Sequence, residues 1–272
     1  MNKDPYSFKL QDYIHKENPY NTLRAYKSDW IDFEKYCKFN NYNALPSTHE
    51  TIANYLIYCA EERSIKLKTA TIIRRYSAIA RKHRDNKYPI DRKLYIEGVL
   101  EAIARKKGNS NISAKALLDT DIKKIIDKID EDKDEGSRIR NIRDRTLILF
   151  GFFGAFRRSE ISSINIENVE ELILGLQVRL VKSKTDQFGI GRNIAIPYSK
   201  NTKYCAVNSY KLWNEELKKF NIKDGPLFRK INKSNNVEIG QLNRMSPHRI
   251  SLIIKKRATN AGLKNPKISG HS

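Results

Sequence analysis

The chain has 272 residues, with 52 Lys plus Arg against 31 Asp plus Glu, a formal charge of +21 at pH 7. That length suits one large domain or two ordinary ones, and such a charge points to a polyanionic partner, nucleic acid being the commonest. Three scattered cysteines (Cys37, Cys59, Cys205) form no C-x-x-C pair, which argues against a zinc ribbon or disulfide framework. The opening MNKDPYSFKL lacks the apolar run of a secretory signal, and no stretch approaches the roughly 18–20 apolar residues that span a membrane.

In TLRAYKSDWIDFEKYC the apolar positions Leu23, Tyr26, Trp30, Phe33 and Cys37 recur in alternating steps of 3 and 4. They share one face of a helix that Asn21 or Thr22 is placed to cap. Pro46-Ser47 precedes a second helix through Ile52, Tyr55, Leu56 and Cys59. A third begins near Lys68 and turns Ile72, Tyr76 and Ile79 to a core. Arg74 and Arg81 lie seven residues apart on it, as do Arg75 and Lys82, while His83 and Arg84 extend its basic end. A helix with one apolar and one basic stripe suits a phosphate backbone or groove, and an ordinary solvated face has the same pattern. Lys68, Arg74, Arg75, Arg81, Lys82 and Arg84 are therefore the candidate DNA-binding residues. A fourth helix is expected over 92–106, with Leu94, Ile96, Val99, Leu100 and Ile103. The polar, aperiodic KKGNSNISAKA at 106–116 reads as a linker around Gly108. The expected division is a helical domain over 1–107, a linker over 108–116 and a second domain over 117–272.

Beyond the linker a helix is expected over 118–129, capped by Asp119 or Thr120, then the charged loop EDKDEGSR. An apolar helix follows over 141–153, ending in TLILFGFF. GAFRRSEISSI reads as a break and a short helix. The period then switches to two. Leu176, Val178 and Leu180 alternate with Gln177, Arg179 and Val181, and Ile194 and Ile196 alternate in RNIAIP. SKTDQFGIG lies between these strands, and its Gly189 and Gly191 suit a hairpin turn. Helical spacing returns over 203–217, with Tyr204, Val207, Tyr210, Trp213 and Leu217 on one face. Ser246-Pro247 opens a last helix through Ile250, Ile253, Ile254 and Ala258, ending near Gly262.

Three segments carry the chemistry, in this order: GAFRRSEISSI, VKSKTDQFGIGRNIAI and the terminal ISGHS. Singly, each has an ordinary reading. Arg157 pairs with Glu160, Lys184 is a solvated lysine beside a turn, and His271 is a terminal histidine. Together they resemble the tyrosine recombinase (phage integrase-type) family. Its G-h-R-x-S-E-h segment, with h apolar, is matched by Gly154-Ala155-Phe156-Arg157-Arg158-Ser159-Glu160-Ile161 with one extra residue after the Gly. The resemblance places the family's first catalytic arginine on Arg157, with Arg158 the competing neighbour, and its supporting acid on Glu160. It places the hairpin lysine on Lys184, with Lys182 nearby, and the histidine of the H-x-x-R box on His271. Met245-Ser246-Pro247-His248 looks like the S-P-H that precedes the box in some members. Arg249-Ile250-Ser251 does not continue it, and helix capping accounts for Ser246-Pro247. In the first half, Thr22, Tyr26, Asp29, Trp30 and Phe33 match the family's T-x-x-x-Y-x-x-D-W-x-x-F opening.

The resemblance implies a chain that is mainly α with a small β-sheet. A helical, SAM-like core-binding domain would precede an α+β tyrosine-recombinase catalytic domain, incomplete at its C-terminus. In that family a tyrosine attacks a DNA phosphate, forming a 3′-phosphotyrosyl link and releasing a 5′-hydroxyl. Arg157 would clamp non-bridging oxygens bidentately, Lys184 would protonate the leaving oxygen, and His271 would support proton transfer and phosphate binding. The bond energy stays in the protein–DNA link, so no metal or nucleotide cofactor is expected. The box's second Arg would fall two positions past Ser272 and the nucleophilic Tyr beyond that, while Tyr198, Tyr204 and Tyr210 read as core or surface positions. The expectation is a chain that binds duplex DNA without cleaving it, with other recombinase protomers on the DNA and no membrane. Its place is the cytoplasm, or the nucleoid of a bacterium. A non-catalytic DNA-binding regulator on the same fold is the alternative. An RNA-binding protein is a third reading, against which the missing aromatic sheet motifs of RNA modules count.

Overall fold

The computed structural model describes residues 20–108, 117–181 and 191–263. Its contacts divide the chain into two units, Met1–Asn111 and Ile112–Ser272. The described residues are mainly helical, with one three-stranded sheet in the second unit.

The first unit is built from helices α1 (Tyr20–Phe39), α2 (His49–Ile57), α3 (Thr69–Asp85) and α4 (Ile96–Lys107). Helix α2 runs into a wider π-helical turn at Tyr58–Glu62. The 3–4 spacing of α1 delivers Phe33 and Cys37 to a core shared with Ile52, Tyr55, Leu56, Ile72, Ile79 and Ile96, all buried. Each large apolar side chain removed from water contributes about 1.5–3 kcal/mol before the entropy of ordering is counted. Thr48 caps α2, its side-chain oxygen accepting the Thr51 N–H at 3.1 Å. Helix α4 starts later than its apolar spacing suggests. Tyr95 adopts φ +64°, which interrupts the helix, and Leu94 is left exposed outside it.

The second unit comprises α5 (Asp119–Asp130), α6 (Arg138–Phe153), α7 (Arg158–Ser163), β1 (Val169–Leu172), β2 (Gly175–Leu180), β3 (Arg192–Pro197), α8 (Ala206–Lys219) and α9 (Pro247–Asn260). The sheet is antiparallel in the order β1-β2-β3, with Val178 opposite both Val169 and Ile194. Strand β1 escapes the period-two signal because VEEL is exposed except at Val169, which is only half-buried. Helix α6 packs on α8, and α9 packs on α5 and α7. Phe150, Trp213 and Phe228 lie at the centre of this core.

Polar side chains fix several joints. Helix α5 is not capped by Asp119 or Thr120. Instead the Asp121 carboxylate reaches back to accept the Leu118 N–H at 3.2 Å. Ser246 caps α9, its hydroxyl accepting the Arg249 N–H at 3.2 Å. The buried Asp144 carboxylate accepts from Arg143 at 2.7 Å and from Arg257 at 2.8 Å, tying α6 to α9. A charge this deep is tolerated only with partners, and here both of its oxygens have one. Three sequence readings lie outside the described residues. These are most of the linker (109–116), the hairpin turn with Lys182, Lys184 and Gly189 (182–190), and the terminal segment with His271 (264–272).

Candidate functional site

A tight turn at the end of α6 aims Arg157. Gly154 N–H donates to the Phe150 carbonyl at 3.0 Å and Phe156 N–H to that of Gly151 at 3.1 Å. Between them Ala155 stands at φ +48°, the left-handed region that L-residues enter at a cost. The chain then returns Phe156 to the core, where its ring stacks on Phe150 at a centroid distance of 5.3 Å. A Cβ on Gly154 would stand 2.1 Å from the Phe156 ring, so that ring position requires glycine at 154. Two demands that one glycine often meets are thus divided between neighbours. Gly154, itself at φ −84°, makes room for the ring, and Ala155 makes the left-handed step.

Arg157 is the N-cap residue of α7, and Glu160 at the helix's third position holds it twice. One carboxylate oxygen accepts the Arg157 backbone N–H at 2.8 Å, and the other accepts its guanidinium, also at 2.8 Å. A glutamate in the first turn also complements the positive end of the helix. Arg192, the first residue of β3, approaches the same carboxylate at 3.5 Å. Glu160 is 2% exposed, whereas the side chains of Arg157 and Arg192 are 30% and 49% exposed. The carboxylate is therefore hidden beneath two guanidiniums that reach solvent. Arg158 is half-buried and is not among the partners of Glu160. Ser162 and Arg244 anchor α7 to the segment before α9. The Ser162 hydroxyl donates to the Met245 carbonyl at 2.6 Å, and Arg244 donates to the Ser162 carbonyl at 2.6 Å.

In the first unit α3 separates into two faces, and the separation corrects part of the basic stripe. Arg75 is 8% exposed and is withdrawn from the surface. Its guanidinium donates to Asp32 and to the Tyr55 hydroxyl and touches Cys59 at 3.5 Å. Arg63 and the Tyr55 hydroxyl also donate to Asp32, at 2.8 and 2.9 Å. Burial alone would lift the Asp32 carboxyl, but these hydrogen bonds from Arg63, Arg75 and Tyr55 outweigh it and hold it well below the usual carboxylate range. Arg75 therefore braces α3 against α1 and α2 and is not a surface residue. His83 is likewise not part of the basic end. Its Nε2 accepts the Ser47 N–H at 3.0 Å, so its Nδ1 must be the donor to the Ile79 carbonyl at 2.9 Å. That arrangement needs the neutral ring, and burial pushes the imidazole below its ordinary value.

The remaining members stay accessible. Lys68, Lys82 and Arg84 are exposed, and Lys82 Nζ lies 5.9 Å over the Trp30 ring. Arg74 is 44% exposed beside the buried Asp29 at 3.2 Å, and Arg81 pairs with Asp85 at 3.5 Å. The motif residues of α1 thereby acquire roles. Asp29 holds Arg74, Trp30 carries Lys82, and Phe33 fills the core.

No family model matches the chain. An "Integrase/recombinase xerD homolog" from Selenomonas ruminantium is 34% identical to it over 275 residues, covering 100% of this chain and 76% of that protein. The chain belongs to the tyrosine recombinase family. Among solved structures, a crystal structure of XerA recombinase matches over 94% of this chain and 76% of that one, at 14% identity and a TM-score of 0.37.

Within this recombinase the described residues bring Arg157 and Glu160 together and add Arg192, which sequence reasoning missed. Strand parity carries the signal for it. Arg192, Ile194 and Ile196 share a side of β3, opposite Leu180, Val178 and Leu176 of β2, and that side faces the core. An arginine in line with core residues calls for a buried acid, and Glu160 is that acid.

Proposed function

We propose that this recombinase chain binds duplex DNA through phosphate contacts, with the guanidinium of Arg157 receiving a phosphate at the strand-exchange site. The observation that carries this reading is the arrangement on Glu160. A buried carboxylate fixes the Arg157 guanidinium from below and leaves part of it in solvent. A planar, pre-oriented guanidinium suits two non-bridging phosphate oxygens, and holding it in place removes the entropy of ordering it on binding. Lys184 and His271 complete the proposed site as proton donor to the leaving 5′-oxygen and as second phosphate ligand. The exposed Lys68, Lys82 and Arg84, with the partly exposed Arg74 and Arg81, supply non-specific backbone contacts from the first unit. The setting is the cytoplasm, on DNA shared with other protomers.

A polypeptide of residues 1–272 binds DNA on this reading and does not cut it, because the second box arginine and the tyrosine that attacks phosphorus are not among its residues. Incubation with a suicide duplex, whose cleavage product diffuses away, tests this. The expected result is a salt-sensitive complex that dissociates completely in denaturant. A protein–DNA adduct surviving denaturation would contradict the non-cleaving reading, and failure to bind any duplex would contradict the whole of it.

A further inference from the structure

We propose that Arg192 is a second phosphate-binding arginine of this recombinase, presented beside Arg157 on the shared Glu160 carboxylate. The inference rests on the reading of Arg157 as a phosphate ligand and extends it to a residue on another element. A structural ion pair for a buried carboxylate needs one cation. Glu160 has two, Arg157 at 2.8 Å and Arg192 at 3.5 Å, as well as the Arg157 backbone N–H. Two guanidiniums and one carboxylate leave a surplus positive charge, and the two like charges repel at close range. An anion bound between them relieves that repulsion.

Exposure gives the direction of approach. Glu160 is shut off from solvent, so it presents no negative charge to an arriving phosphate, while roughly half of the Arg192 side chain is accessible. Neither guanidinium has another hydrogen-bond partner among the described residues, so each keeps N–H donors for a ligand. The two arginines come from different elements, the α7 N-cap and the start of β3, each fixed by its own packing. Phe156 is seated in the core, and β3 pairs with β2 throughout. A phosphate bridging them would meet a preset fork.

The test measures binding of the full chain to a mixed-sequence duplex between about 50 and 200 mM salt. Arg192→Gln is expected to lower the slope of log K against log salt by about 0.9, the loss of a single phosphate contact. Arg192→Lys, which keeps the charge, is expected to retain that slope. Arg157→Gln is the control. If Arg157→Gln lowers the slope and Arg192→Gln does not, the proposal fails and the reading of Arg157 stands. If neither lowers it, the Arg157 reading fails and takes the proposal with it. Unmutated protein provides a check independent of folding. Phenylglyoxal modification of Arg192, read by mass spectrometry, is expected to fall several-fold when duplex is added. Equal labelling with and without DNA overturns the proposal.

Discussion

The turn at Gly154-Ala155 allows two neighbouring substitutions to be assigned opposite signs. Ala155 sits at φ +48°, a conformation that costs an L-residue roughly 1–2 kcal/mol. Ala155→Gly removes that strain but frees the unfolded chain, which costs about 0.4–1 kcal/mol. The balance is a stabilisation of about 0.5–1 kcal/mol. Gly154→Ala adds a Cβ at 2.1, 2.6 and 2.7 Å from three atoms of the Phe156 ring. The ring must leave its stack on Phe150, and overpacking of this kind costs about 1–3 kcal/mol. Because Phe156 precedes Arg157, its displacement should also weaken DNA binding. Urea unfolding followed by fluorescence resolves both effects. The chain has two tryptophans, one in each unit, so a Trp30→Phe background reports the second unit through buried Trp213. A destabilising Ala155→Gly, or a Gly154→Ala with an unchanged midpoint, would refute the division of labour between these residues.

Other consequences concern the first unit. Arg75→Met takes one partner from the half-buried Asp32, which keeps Arg63, and one from the buried Tyr55 hydroxyl, and should destabilise the unit by about 2 kcal/mol, read as a lower urea midpoint. The exposed set behaves differently. Replacing Lys68, Lys82 and Arg84 with Ala together should leave the midpoint within about 0.5 kcal/mol of wild type while weakening duplex binding and flattening its salt dependence. The pH response follows from His83. Its imidazole titrates lower in the folded state than its ordinary 6.5, so the unfolded state binds more protons in that range. The corresponding stability is present above about pH 6.5 and is lost as pH falls below it. Thermal melts from pH 8 to 5.5 should show this decline, and His83→Gln should reduce it.

Legibility in the sequence followed how local each signal was. Helix faces with a strict 3–4 spacing, such as Phe33 and Cys37 or Val207, Tyr210 and Trp213, translate directly into buried stripes. Strands β2 and β3 were legible because one side of each is apolar. Strand β1 was not, since its residues are mostly exposed and its pairing with β2 comes from tertiary context. The basic stripe of α3 was only half legible. Spacing places Arg75 on the face of Lys82, yet whether an arginine turns outward depends on acids elsewhere, here Asp32 on α1 with Tyr55 on α2. Arg157 and Glu160 were legible as a pair because their contact spans three residues. Arg192 meets them only through the fold: its parity with Ile194 and Ile196 marks the side of β3 it stands on, but nothing local names Glu160 as its partner.

Whether this recombinase chain holds DNA by its phosphates is decided by equilibrium binding of residues 1–272 to a mixed-sequence duplex across a salt series. Phosphate contacts give a straight line of log K against log salt, with a negative slope of about 0.9 for each of several contacts. A flat line, or no binding at low salt, would contradict it.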